Sequence, residues 1–304
     1  TLKPPMSKPK IIAIVGPTAA GKTSLSIQIA KHVGGEVISA DSRQVYVGMD
    51  IGTSKVTETE MDGVPHHLLD VAKPMEVYTA TDFTRDAKQA VADITDRCKT
   101  PIIAGGTFFY LDLLRGKMQA APVEPDQELR SKLEKYSNEE LLQLLETKDA
   151  RRAADVDPHN RRRLIRSLEI IETLGSVPPV EPAQSDYEWL IFGVTREKEE
   201  LRERFRQRAA LWLTDGFQNE VERLLEEGVT RARFQEMGFE YTLMLQLIDQ
   251  EITETEFVDR FEEKNWQYAK RQLTWLRKDD DVIWVDPADT ASVLQSVDSF
   301  LADK

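Results

Sequence analysis

Between Ile14 and Thr23 the chain reads IVGPTAAGKT, with Gly16, Gly21, Lys22 and Thr23 in the fixed positions of G-x-x-x-x-G-K-[ST]. This pattern dictates its own surroundings. A glycine-bounded loop turns its backbone N–H groups around an anion when a strand delivers the chain and a helix N-terminus receives it. The flanks comply. KIIAIV (10–15) is a β-rich apolar run, and TSLSIQIAKHV (23–33) places Leu25, Ile29 and, less neatly, Val33 at helical spacing. Gly16, Pro17, Thr18, Ala19, Ala20, Gly21, Lys22 and Thr23 are therefore expected to hold phosphates. Lys22 would reach the outer phosphate and Thr23 would ligate Mg²⁺.

The same alternation continues downstream. EVISA (36–40), PIIAGG (101–106), WLIFGVT (189–195) and DVIWVD (281–286) read as strands, and FTRDAKQAVADITDRC (83–98) reads as a helix. Strands alternating with helices imply a parallel sheet covered on both faces. Two proline-rich stretches, QAAPVEPD (119–126) and GSVPPVEPAQS (175–185), interrupt this pattern and read as linkers. Between them lie only helical signals. SNEELLQLLE opens with a capping box, Ser137 to Glu140, and NRRRLIRSLEIIETLG carries Leu164, Leu168 and Ile171 on one stripe before Gly175. Further helices are expected at about 197–213, 217–227 and 254–277. The expected fold is α/β, a P-loop NTPase-like parallel sheet core (1–118 and 186–304) carrying a helical insertion (119–185).

Composition narrows the function. Of 304 residues, 40% are hydrophobic, enough for a real core, yet no run approaches the roughly 18 apolar residues of a membrane span. TLKPPMSKPK, polar and Pro-rich, is expected to be a floppy leader, with no signal peptide ahead of the first strand. A single cysteine, Cys98, allows no intramolecular disulfide and suits a reducing cytoplasm. No zinc-ligand spacing occurs among the four histidines and one cysteine. A net charge of −13 argues by itself against a nucleic-acid binder.

The acidic residues a phosphate loop normally needs are displaced. A hydrolytic NTPase has a second strand ending in Asp to hold Mg²⁺. Here PIIAGGT ends in glycines, Asp286 lies close to the C-terminus, and the acid follows EVIS instead, at Asp41. The carboxyl end of a strand faces the ligand crevice of an open α/β sheet. Asp41 either points at whatever receives the transferred group or caps the turn ADSRQ. In LRERFRQRAALW, Leu201, Phe205 and Trp212 form an apolar stripe with Arg208 in its middle. A buried arginine needs an anion, and a bound diphosphate or a core carboxylate would both serve.

Basic residues are concentrated in two islands. Residues 151–166 hold six arginines against two acids, and KNWQYAKRQLTWLRK (264–278) has five cationic residues, no acid, and Trp266, Tyr268 and Trp275 between them. Basic side chains interleaved with aromatics suit a polyanion with stackable bases, or else are ordinary solvated helix faces.

Taken with ISADSRQVYVGMDIGTSK, GVPHHLLD, YTATDFTRDA, IIAGGTFFY, DPHNRRRLIRSLEI and YAKRQLTWLR, in that order, the chain resembles the tRNA dimethylallyltransferases (tRNA isopentenyl transferases) from Ile11 to about Asp286. The resemblance implies transfer of a dimethylallyl group from dimethylallyl diphosphate to the exocyclic N6 amine of the adenosine 3′ to the anticodon, with Mg²⁺. It implies that Thr18 to Thr23 bind the donor, that Asp41 faces the attacking amine, and that Ser42, Arg43 and Gln44 line the base site. Thr107, Arg130, Arg162, Arg163 and Arg166, with Lys270 and Arg271 of the second island, are expected on the tRNA anticodon stem-loop. Arg208 matches the family's phosphate-side arginine. A cytoplasmic enzyme acting as a monomer is expected. Two departures stand out: the family's GGTGLY is GGTFFY here, introducing Phe108, and its MGY is MGFEY, so that Phe239 lacks a hydroxyl. Rival readings are a small-molecule kinase or an isopentenyltransferase acting on free adenine nucleotides, which needs no arginine-rich insertion, and a non-enzymatic tRNA binder, which needs no phosphate loop.

Overall fold

The computed structural model describes residues 8–179, 181 and 183–303. Residues 1–7 of the expected leader, Val180 and Pro182 of the second proline-rich stretch, and Lys304 lie outside the described residues. The described strands are β1 (Lys10–Val15), β2 (Glu36–Ser39), β3 (His66–His67), β4 (Pro101–Gly105), β5 (Glu188–Val194) and β6 (Val282–Val285). They form one parallel sheet in the order β3-β2-β4-β1-β5-β6. The helices are α1 (Lys22–Val33), α2 (Glu58–Met61), α3 (Ala80–Asp96), α4 (Phe108–Leu114), α5 (Gln127–Leu133), α6 (Asn138–Lys148), α7 (Ala150–Asp155), α8 (Arg161–Leu174), α9 (Lys198–Asp215), α10 (Phe217–Glu226), α11 (Arg231–Met237), α12 (Phe239–Ile248), α13 (Glu254–Leu276) and α14 (Thr290–Ala302).

Because both faces of the sheet are covered, its strands are continuous apolar runs rather than alternating ones. On one face Ile11, Ala13 and Val15 pack with Ile38, Ile103 and Ile191 against Phe83, Ala87 and Val91 of α3. On the other, Ile12, Ile14, Val37 and Phe192 meet Leu25 and Ile29 of α1 and Val293 and Val297 of α14. The chain leaves β1 for β2 on one side and, after β4, crosses to β5 on the other. The carboxyl ends of β1, β2 and β4 thus gather their loops at a topological switch, where such sheets bind ligands.

A third apolar cluster lies among α9 to α13. Phe205, Trp212, Phe217, Tyr241 and Phe261 pack there with Val45, Tyr46 and Met49 from the segment after β2. Trp212 meets Phe217 and Phe261 edge-on at centroid distances of 5.1 and 4.8 Å.

The chain divides into two compact units, with boundaries at Arg115/Gly116 and Ala183/Gln184. The smaller unit is wholly helical among its described residues. Its core is Leu141, Leu145, Leu164, Leu168 and Ile171. Ser137 and Glu140 form the reciprocal capping box at the start of α6, and Gly175 ends α8 with a left-handed φ of 81°. Several elements went unread in the sequence. β3 is two residues long and has no periodicity to show. In α4, Phe108 and Tyr110 to Leu114 are all buried, so no polar face marks a helix.

Candidate active site

The phosphate loop is shaped by close approach and by strain. A Cβ at Gly16 would lie 2.2 Å from the Val194 carbonyl oxygen, so only glycine lets β1 turn away beside β5. Gly21, the residue before α1, has φ 105°, and Ala19 adopts φ 62°, a left-handed conformation costing an L-residue about 1 kcal/mol. Arg196, just past β5, donates from Nε to the Ala20 carbonyl at 3.1 Å and braces the loop from outside.

Two cations converge on this loop. Lys22 Nζ donates to the Pro17 carbonyl at 2.8 Å, folding the side chain back across the loop. Burial pushes its ammonium down to about 8, Asp41 opposes that shift, and Arg208 adds to it. Arg208 of α9 donates from Nη1 to Thr18 Oγ1 at 2.7 Å. Among the described residues no carboxylate lies within ion-pair distance of Arg208, so the core acid considered from the sequence makes no direct pair with it, and Glu240 acts on it from farther away. Burial, then the neighbouring Arg204, lowers the pKa of Arg208. Arg204 itself faces Glu200 at 3.1 Å. A desolvated guanidinium held by a hydroxyl is electrostatically prepared for an anion.

Asp41 stands two residues past the end of β2, which β4 separates from β1. Its Oδ1 accepts from the backbone N–H of Arg43 at 2.8 Å and of Gln44 at 3.4 Å, so it does cap the turn. Oδ2 makes no hydrogen bond to the described residues. The capping role therefore occupies one oxygen and leaves the other, and the carboxylate acts electrostatically on Lys22, Tyr110 and Tyr268. Ser42 N–H donates to Thr107 Oγ1 at 3.2 Å, and Thr107 N–H to the Ala40 carbonyl at 3.2 Å, which joins the ends of β2 and β4. Gln44, expected to line the base site, has its side-chain amide engaged within the protein. Its Oε1 accepts from Ser39 Oγ, and its Nε2 donates to the carbonyls of Thr53 and Ser54, so Gln44 builds the wall of the site.

Two glutamates escaped the sequence reading. Glu220 of α10 accepts from the N–H groups of Asp50, Ile51 and Gly52 at 2.8, 2.7 and 3.2 Å and from Tyr241 Oη at 2.9 Å. That buried carboxylate pins the GMDIGT segment, where a Cβ on Gly52 would meet Phe217 at 2.2 Å. Glu240, beside Phe239 at the start of α12, lies with Arg43 over Gly238. A Cβ on Gly238 would be 2.4 Å from both Arg43 Nη1 and Glu240 Oε2. Burial raises the pKa of Glu240, and Arg43 opposes the shift. Only the MGFEY departure from the family pattern hinted at this residue.

The basic islands resolve unequally. In the helical unit, Arg130 makes a bidentate pair with Glu169 at 2.9 and 3.0 Å, and Arg166 pairs with Glu169 and donates to the Val123 carbonyl. Arg161 is held by Glu134 and Asn138, Arg152 by Ser167 and Asp155, and Arg151 by Asp149 and the Val177 carbonyl. Arg162 and Arg163 are exposed, and their side chains have no polar partner among the described residues. In α13, Lys270 and Arg271 are exposed and line an open pocket of about 410 Å³ with Trp275, Thr274, Gln267 and Lys278. Trp275 is anchored by Nε1 donating to Asp112 Oδ2 at 3.0 Å, leaving the ring 38% exposed. Arg271 and Lys270 lie over the rings of Tyr268 and Trp266.

No group of three or more His, Cys, Asp or Glu able to hold a metal occurs among the described residues, and none of their helices is long and apolar enough to cross a membrane.

A strained phosphate loop at a parallel-sheet switch point, with two cations tied to it and a carboxylate past the end of β2, defines a P-loop-like α/β protein with a site suited to an anion. The family model for IPP transferase matches residues 44–279. The tRNA dimethylallyltransferase of Staphylococcus carnosus is 40% identical over 94% of this chain and 93% of its own. The full-length tRNA isopentenylpyrophosphate transferase of Bacillus halodurans is similar in structure, with TM-score 0.72, 35% identity and 97% of each chain covered. A eukaryotic dimethylallyltransferase acting on tRNA gives TM-score 0.73 at 26% identity, covering 93% of this chain and 75% of that one. The chain belongs to the IPP transferase family.

Proposed function

We propose that the chain transfers a dimethylallyl group from dimethylallyl diphosphate to the N6 amine of the adenosine 3′ to the anticodon of tRNA, in the cytoplasm. One observation carries the reading: Lys22 and Arg208, tied to the phosphate loop, share an electrostatic environment with Asp41 past the end of β2. A site for a departing anion and a base for an incoming nucleophile thus lie within electrostatic reach of each other.

In the reaction the allylic C–O bond breaks, the C–N bond forms, and one amine proton leaves. The loop N–H groups, Lys22 and Arg208 stabilise the charge that grows on the diphosphate. Asp41 Oδ1 is fixed by two backbone N–H groups, so Oδ2 is oriented to accept the amine proton. The target base leaves its stack to reach the allyl carbon. The chain offers Thr23, exposed at the first turn of α1, as one ligand for Mg²⁺. A Mg²⁺ held through one hydroxyl would keep most of its other ligands as water or substrate oxygens, as that ion commonly does. There Mg²⁺ would neutralise charge on the leaving group.

The helical unit and the α13 face are the proposed contacts for tRNA, through Arg162, Arg163, Lys270 and Arg271 for phosphates and Trp275 for stacking. Incubation with dimethylallyl diphosphate and either tRNA or adenosine monophosphate, followed by nucleoside mass analysis, tests the assignment. A dimethylallyl mass increment on adenosine from tRNA is expected. An increment on the free nucleotide alone, or on neither, would overturn it.

A further inference from the structure

Glu240 is a half-buried carboxylate within electrostatic reach of Arg208, the cation tied to the phosphate loop. Charged and titratable groups face it from several elements. Arg43 and Asp41 face it from the segment after β2, Arg208 from α9, Tyr268 from α13, and Tyr241 is its neighbour in α12. The guanidinium of Arg43 makes no hydrogen bond or ion pair with the described residues, yet its Nη1 and Glu240 Oε2 converge over Gly238. Arg208 has the Thr18 hydroxyl as its one hydrogen-bond partner among the described residues.

The geometry points to Glu240 as a working residue of the donor site: its carboxylate balances Arg43 and Arg208 in the free protein, and so sets how tightly a diphosphate is held. The inference rests on the donor-site reading above. A diphosphate brought to Thr18 and Arg208 competes with this carboxylate for the same positive charge. Two anions held close together repel, so entry of the diphosphate favours the neutral form of Glu240 and draws a fraction of a proton from solvent onto its carboxylate. The raised pKa of Glu240 makes that uptake easier. The balancing carboxylate keeps the leaving group from being trapped after the C–O bond has broken.

Calorimetric titration with inorganic pyrophosphate, in buffers of differing ionisation enthalpy between pH 6 and 8.5, reads both affinity and protons taken up. Wild type and Glu240→Gln are compared at matched melting temperature, with Glu240→Ala as a second variant should the amide disturb folding. Lys22 and the pyrophosphate titrate in all three proteins, so the difference between them reports Glu240. A coupling of one pKa unit makes Glu240→Gln bind about tenfold tighter at pH 8. The variant should also take up fewer protons than wild type. Equal affinity and equal proton uptake in wild type and variants would refute the role of Glu240 while leaving the donor site standing. Wild type that binds no pyrophosphate would remove the donor-site reading and this inference together.

Discussion

Arg208 Nη1 donates to Thr18 Oγ1 at 2.7 Å, joining α9 to the phosphate loop across 190 residues of sequence. The bond satisfies a half-buried guanidinium without neutralising it. Arg208→Gln should lower the single-turnover rate of transfer by about 10²–10³-fold, the size seen when one donor to developing negative charge is lost. Thr18→Val, which keeps the cation and removes its tether, should cost less. Rapid-quench kinetics at saturating tRNA distinguish the two, and a larger loss in Thr18→Val would contradict the assigned roles.

Lys22→Ala should remove most transfer while leaving tRNA binding nearly intact. Lys22 lies folded over the loop, bonded to the Pro17 carbonyl, and is not among the exposed cations proposed to meet tRNA. Filter binding alongside single-turnover kinetics is the check. Normal chemistry with weakened tRNA affinity would show that the loop does not bind the donor.

Asp41→Asn should fold normally and bind donor, because its amide oxygen can still accept from the N–H groups of Arg43 and Gln44. The amide cannot take a proton at neutral pH, so the chemical step should slow by roughly 10²–10⁴-fold. Turnover like that of wild type would reduce Asp41 to a turn cap.

Arg162 and Arg163 are the arginines of the helical unit without side-chain partners among the described residues, and changing both to Gln should flatten the salt dependence of tRNA binding. Each lost phosphate contact lowers the slope of log affinity against log salt by roughly 0.7–0.9. Arg130→Gln and Arg166→Gln should act differently, through stability, because both side chains hold Glu169. Affinity at several salt concentrations, read beside melting curves, separates the two classes. An unchanged slope in the double variant would leave Arg162 and Arg163 as a solvated face.

Glu169 is 1% exposed. Burial alone pushes its carboxyl up, but hydrogen bonds from Arg130, Arg166 and the Asp126 N–H more than offset this and hold it below the usual range. A carboxylate depressed in the folded state stabilises the fold fully above its unfolded pKa, and that contribution fades as pH falls through the folded value. Removing the charge leaves two arginines without their buried partner, a loss of about 3 kcal/mol. Glu169→Gln should therefore melt earlier at pH 7 and show a smaller further loss on acidification below about pH 4. Parallel slopes of melting temperature against pH in the two proteins would contradict the assignment.

Local pattern carried a large part of this molecule. The apolar runs at β1, β2, β4 and β5, the loop from Gly16 to Thr23, and the cap at Gly175 each follow from neighbours within a few residues, where sterics, burial and backbone hydrogen bonding act. Arg208 was legible as an anomaly, since a charge in an apolar helical stripe breaks the period. Its partner was not, because nothing in the spacing of α9 encodes a threonine near the other end of the chain. Glu220 has an unremarkable context in the sequence, and only packing makes it a loop anchor, just as only packing brings Glu240 and Arg43 together over Gly238. The six arginines of 151–166 look alike in sequence. Tertiary structure divides them, pairing Arg166 with Glu169 and leaving Arg162 and Arg163 on an exposed face, because an ion pair depends on distance in space and periodicity reports only distance along the chain.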